Sequence, residues 1–209
     1  QTLQQNQIEK MGDHLFKPGA MVLPGQVSID TQYYAVKLTS KSAASLNTYL
    51  NTTITGGSSG VVAEVVKVSA TDGTDPDTLF VKYKNSGTDN ASNKFTDGET
   101  LTSAASTGET SVVNTCATGS AAHIEAGTYY INGFFVEVDK QTLTLDKYTN
   151  TPSYRVGLTI SETFTTSTDD TSLLDNATGS SNENASGAHR FKITLTLSKL
   201  SLTSTADSN

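Results

Sequence analysis

Three histidines, one cysteine and two clusters of aspartate are the residues in this chain whose types could support chemistry. His14, His123 and His189 fall in three separate contexts: a helical stretch, a linker edge and a strand start. None is embedded in GxSxG or another nucleophile elbow, so the sequence sets no base beside a serine. Cys116 lies in a run of Thr, Ala and Ser without the flanking signature of a catalytic thiol. As the sole cysteine it cannot form an intrachain disulfide. HExxH, CxxC and the P-loop are all missing.

Asp72, Asp75 and Asp77 in TDGTDPD could offer oxygen ligands to Ca²⁺. Their spacing is not that of an EF-hand, and aspartate is common in turns because its side chain bonds its own backbone. Asp169, Asp170 and Asp175 in TDDTSLLDNA read likewise as turn and cap residues, with Leu173 and Leu174 tucked beneath an Asp-capped helical turn. A glycosidase would need two carboxylates ~5–9.5 Å apart across a cleft, and the chain has no Trp to stack a sugar. The expectation is a non-enzyme with no catalytic residue, no metal and no cofactor.

Composition points the same way. Hydrophobic residues make up 35% and charged residues 17% of the 209, and both shares are low for a globular domain. Disorder pairs low hydrophobicity with high charge, so this polar, Thr-rich chain suits β-structure with large solvated faces, or subunits that bury apolar strips against each other. A net charge of −7 with scattered basic residues argues against nucleic acid. No window approaches the ~20 apolar residues of a membrane-spanning helix, so no membrane insertion is expected. Asn51, Asn90, Asn176 and Asn184 open Asn-X-Ser/Thr triplets. A chain this rich in Asn, Ser and Thr produces such triplets by chance, so glycosylation is not expected. Opening at Gln1, the chain reads as a processed product or as the ordered part of a longer one.

Stepping along the sequence, residues 1–25 hold a helix and connector. Leu3, Ile8, Met11 (or Gly12) and Leu15 sit close to one helical stripe on an otherwise polar helix. Such a stripe either forms an oligomer seam or buries itself on the strands of its own chain. Gly12 opposes the helix at about 1 kcal/mol relative to Ala, and Pro18-Gly19 stops it. Residues 26–54 and 122–202 read as the main β domain. It opens with a strand over Val27–Leu38 and a helical turn in Ser42–Leu50 that turns Leu46, Tyr49 and Leu50 inward. Within it, Gly127–Val138 is the clearest hairpin, because Asn132-Gly133 accepts positive φ at both central positions of a type I′ turn. Residues 55–121 read as an inserted small β module plus linker, self-contained from Thr55 to about Leu101 and low in complexity over Thr102–Ala122. Residues 203–209 read as a frayed tail or a link to a following domain. The fold class is therefore mainly β: an N-terminal α-helix followed by an antiparallel β-sandwich or barrel with an inserted small β module.

Two alternating runs, Tyr154–Ile160 and Phe191–Leu197, read as paired strands joined by a connection too long for a tight hairpin. Arg155 and Arg190 stand at their edges. They either bridge to Asp169, Asp170 or Asp175 and fix the connection, or they are solvated strand ends. The segments PSYRVGL, DDTSLLDNATG and GAHRFKI in this region resemble a domain family of uncharacterised function found in tail-associated virion proteins of tailed bacteriophages. QNQIEKMGDHLFKPGAMVLPG near the start carries the same resemblance, and GGSSGVVAEV with FTDGETL resembles a small β module recurrent in phage structural proteins. The resemblance implies a non-enzymatic structural component of a phage tail, a baseplate or tail-fibre subunit located in the virion. Its partners would be copies of itself, with a trimer favoured, and other tail or baseplate proteins. A receptor- or carbohydrate-binding module is the alternative, with Tyr33-Tyr34 and Tyr129-Tyr130 as candidate glycan platforms.

Overall fold

The computed structural model describes residues 2–105 and 108–206, except the side chains of Thr2, Leu3 and Gln5. It is mainly β with one N-terminal helix. The chain divides into two compact units. The first comprises residues 1–28, 123–143 and 155–209, and the second residues 29–122 and 144–154.

The second unit is built on a seven-stranded sheet. Its strands are β2 (Val27–Lys41), β3 (Thr53–Gly56), β4 (Val62–Ser69), β5 (Thr78–Asn85), β6 (Thr100–Ser103), β7 (Thr110–Ile124) and β10 (Gln141–Asp146). Their order is β10-β7-β2-β5-β4-β3-β6, and β6 also pairs with β7. That last pairing closes six strands into a small barrel, with β10 added alongside β7. Closure leaves those six strands no free edge. Val36, Tyr49, Ile54, Val65, Leu79 and Leu101 are fully or almost fully buried in one cluster inside it. Residues of opposite parity on β2, Tyr33 and Ala35, pack outside with Phe80 and Ala121. β2 is thus apolar on both faces because both faces are covered.

β2 is not confined to the strands after residue 122: it shares its sheet with β10, but pairs antiparallel with β5, Tyr34 opposite Val81 and Val36 opposite Leu79. The stretch from Thr55 to about Leu101 is not self-contained, because the barrel needs β2 and β7 to close. The low-complexity run Thr102–Ala122 is not a loose strand with a linker; most of it is β7, whose Val113, Ala121 and Ala122 are buried. Small Ser, Thr and Ala residues give little hydrophobic signal, yet they suit a strand with neighbours on both sides. A 3₁₀ turn at Leu46–Tyr49 buries Leu46 and Tyr49 as expected, while Leu50 stays partly exposed.

The first unit holds α1 (Thr2–Leu15), a sheet of β1 (Ala20–Leu23), β8 (Gly127–Ile131) and β9 (Phe134–Val138), and a two-stranded ribbon of β11 (Tyr154–Thr165) and β12 (Arg190–Ser201). β8 and β9 form the expected hairpin, Ile131 opposite Phe134, with φ of 47° at Asn132 and 93° at Gly133. Asn51, Asn90 and Asn184 also take positive φ. Three of the four sequon asparagines therefore serve as left-handed turn residues, a conformation Asn tolerates better than most.

Candidate interaction surface

Within the first unit, α1 lies on β8 and β9 through the face that carries Gly12 and Phe16, which adjoins its apolar stripe. Gly12 is buried, and a Cβ there would come within 2.5–2.8 Å of the Tyr130 ring. The Tyr130 hydroxyl donates to Asp13 Oδ1 at 2.6 Å, and burial, with that carboxylate, pushes its pKa up to about 12. Phe16 stacks edge-on with Phe135 at 5.9 Å and lies 5.7 Å from Tyr130. Glycine at position 12, a liability by helix propensity, is what lets the helix approach so closely.

This docking leaves the predicted stripe outside. Ile8, Met11 and Leu15 are 50%, 56% and 62% exposed. The Leu3 side chain lies outside the described residues. Of the two readings the stripe allowed, burial on the chain's own strands does not hold for these three residues.

The ribbon shows a second uncovered surface. On β11 the even positions Val156, Leu158, Ile160 and Phe164 share one face with Phe191, Ile193, Leu195 and Leu197 of β12, by the period of two. Burial fades along it, from 5% exposure at Leu195 to 43% at Phe191 and 67% at Phe164. Phe191 lies between Phe164 and Phe134, with ring centroids 5.4 and 5.7 Å away. Asn132 Nδ2 donates to Glu162 Oε1 of β11 at 3.0 Å, and Glu9 of α1 lies beside Gly133. α1 and the ribbon thus both reach the Asn132-Gly133 turn.

The long connection between β11 and β12 is ordered by its own backbone. Asp175 N–H donates to Ala185 O at 2.9 Å, Asn184 N–H to Asp175 O at 3.0 Å and Gly187 N–H to Leu173 O at 2.9 Å. Asp170 caps a 3₁₀ turn over Thr171–Leu173 that buries Leu173, with Leu174 half-buried. Its carboxyl is held below the usual range by Ser172 donors and, more weakly, by the Arg190 charge. Asp169 is lowered by the Thr166 amide and hydroxyl, with a smaller contribution from His189. Asp175 accepts from the Ala177 amide. Arg155 donates to the backbone carbonyl of Ser204, so it holds the segment after β12. Backbone bonds across the connection and aspartate caps to donors two or three residues away thus hold it.

In the second unit the Asp72, Asp75 and Asp77 carboxylates are engaged by lysines. Lys147 pairs with Asp72 at 3.1 Å and Asp75 at 2.7 Å, and Lys41 with Asp77. Among the described residues no group of three His, Cys, Asp or Glu is placed to hold a metal ion. Burial, aided by the charges of Asp97 and Glu99, pushes the Cys116 thiol up to about 11. Tyr33, Tyr129 and Tyr130 are buried and Tyr34 is half-buried against Tyr83. No helix among the described residues is long and apolar enough to cross a membrane.

Sequence reasoning missed one constellation. Glu99 is buried in the loop Gly56–Gly60, accepting from Ser58 N–H at 3.3 Å, Ser59 N–H at 3.0 Å and Thr96 N–H at 2.6 Å, and from both serine hydroxyls. This joins GGSSG to FTDGETL, the two segments that carried the β-module resemblance. Its only sequence signal was a loop rich in donors with no side chain at Gly56 to block approach.

Residues 82–207, more than half of the chain and including the ribbon, the hairpin and β7, match the family described as Domain of unknown function (DUF4815). The chain belongs to that family. The DUF4815 match begins inside β5, so α1 and β1–β4 lie outside it. No curated protein and no solved structure matches the chain.

Proposed function

We propose that this DUF4815 protein is a non-enzymatic structural component of a bacteriophage tail, a baseplate or tail-fibre subunit of the virion. It works by assembling with copies of itself, a trimer being the favoured number, and with neighbouring tail proteins. The observation that carries the reading is where apolar surface is left uncovered. Among the described residues, twelve of the fifteen exposed large hydrophobic side chains belong to the first unit. A closed barrel with its own core needs no partner; a helix and ribbon that expose their apolar faces do. The phage resemblance of PSYRVGL, DDTSLLDNATG and GAHRFKI supplies the setting, and these segments fall on the ribbon and its connection. The acidic clusters support a non-enzymatic role, since caps and lysine pairs take up their carboxylates.

The test is quantitative mass spectrometry of purified phage particles whose genome encodes the chain. Recovery at a fixed, small multiple per particle, lost from tail-less mutants, is expected. Absence from particles, or recovery with tail-less heads, overturns the reading.

A further inference from the structure

We infer that the outward face of α1 is a seam closed by the same helix of a second copy of this chain, running parallel and in register. This rests on the self-assembly reading above and names its contact. The seam residues are Gln4, Ile8, Met11 and Leu15, whose 4-3-4 spacing is that of the a and d positions of a heptad repeat. Gln4, Gln7, Ile8 and Met11 line a shallow groove. Gly12 and Phe16 hold the neighbouring face on β8 and β9, so the stripe cannot turn inward without undocking the helix.

Three features select a second copy as the occupant. A stripe with 4-3-4 spacing is matched along its length by a helix with the same spacing, and every copy brings one. Charge permits it as well: the chain carries −7 overall, yet Gln7 and His14, which flank the stripe by helical geometry, carry no negative charge. Glu9, Lys10 and Asp13 lie off the stripe by helical geometry, so like charges do not face each other across the seam. The polar layer sets direction. Parallel pairing puts the Gln4 amide against another Gln4 amide, which can donate and accept in turn. Antiparallel pairing would put it against Leu15 and leave it unpaired.

Area limits what the seam does. Three apolar side chains remove only a few hundred Å² from water, against roughly 800 Å² per partner in a standard stable interface. The seam therefore sets orientation and register, and further apolar surface of the same unit completes the contact.

The experiment uses the full chain with Cys116→Ala as background, single cysteines introduced by Gln4→Cys, Ile8→Cys or Leu15→Cys, mild oxidation, and light scattering of the reduced protein. Covalent dimers of Ile8→Cys and of Gln4→Cys are expected, with no crosslink between Gln4→Cys and Leu15→Cys chains when these are mixed. Crosslinking of that mixed pair without Gln4→Cys dimers overturns the parallel seam. An oligomer by light scattering that gives no Ile8→Cys dimer overturns the seam and leaves self-assembly standing. A monomer of 22.0 kDa at every concentration overturns both. As a second variant, Ile8→Glu with Met11→Glu should lower the mass while circular dichroism is unchanged, and an unchanged oligomer mass overturns the seam.

Discussion

Glu99 accepts from both the amide and the hydroxyl of Ser59, each at 3.0 Å, across a sequence separation of 40 residues. The bonds tie the loop after β3 to the start of β6 inside the barrel. Gly56 makes room, since a Cβ there would come within 2.5 Å of the Glu99 carboxylate. Burial raises the carboxyl pKa, but the amide and hydroxyl donors outweigh it and hold it below its ordinary value.

Glu99→Gln should therefore cost about 2 kcal/mol of unfolding free energy, because it replaces charge-assisted bonds and turns an amide group toward donors. The folded pKa is depressed, so the stabilisation is complete above the unfolded pKa near 4.5 and is lost as pH falls through the lower folded value. Urea titrations at pH 7 and pH 3 should show the variant's deficit shrinking at low pH. An equal deficit at both would refute the charge-based account.

Gly12→Leu should undock α1. Helix propensity favours Leu by about 1 kcal/mol over Gly, but the added side chain meets the buried Tyr130 ring. Overpacking of this kind costs about 1–3 kcal/mol. Hydrogen exchange should show faster exchange of α1 amides with the barrel strands unchanged. Slower α1 exchange would mean propensity dominates.

Phe164→Ser removes a ring that is mostly exposed within its own chain and touches Phe191 alone among the described rings. The expected loss of stability is under about 1 kcal/mol, as for surface sites, with a clear drop in binding of an apolar fluorescent dye. A loss above about 3 kcal/mol would place Phe164 in the core of an isolated chain.

Cys116 should react poorly with a thiol reagent in the native state. With its pKa pushed up to about 11 by burial, the thiolate at pH 8 is roughly a thousandth of the total, far less than for a free cysteine near 8.5. Denaturant should accelerate labelling by more than tenfold. Equal rates in native and unfolded protein would contradict the burial.

The elements with a local cause were legible in the sequence. The Asn132-Gly133 hairpin follows from positive φ, the Asp170 cap from a side chain that reaches its own backbone, and the β11–β12 pair from strict alternation. The mainly β class followed from many such short patterns. β7 and Glu99 were not legible, since one is built of small residues with little hydrophobic contrast and the other draws its donors from a loop 40 residues away.

By itself, the sequence determined the helix, the turns and the apolar stripe, because helical and strand periods are properties of neighbouring residues. Only the tertiary structure decided which face of α1 is covered, since Gly12 and Tyr130 meet across more than a hundred residues. It alone decided that β2 closes a barrel, because pairing partners are chosen by long-range packing and not by local pattern. And it alone decided how far the ribbon's apolar face is covered. Alternation tells which side chains share a face, but not how much of that face finds something to cover it.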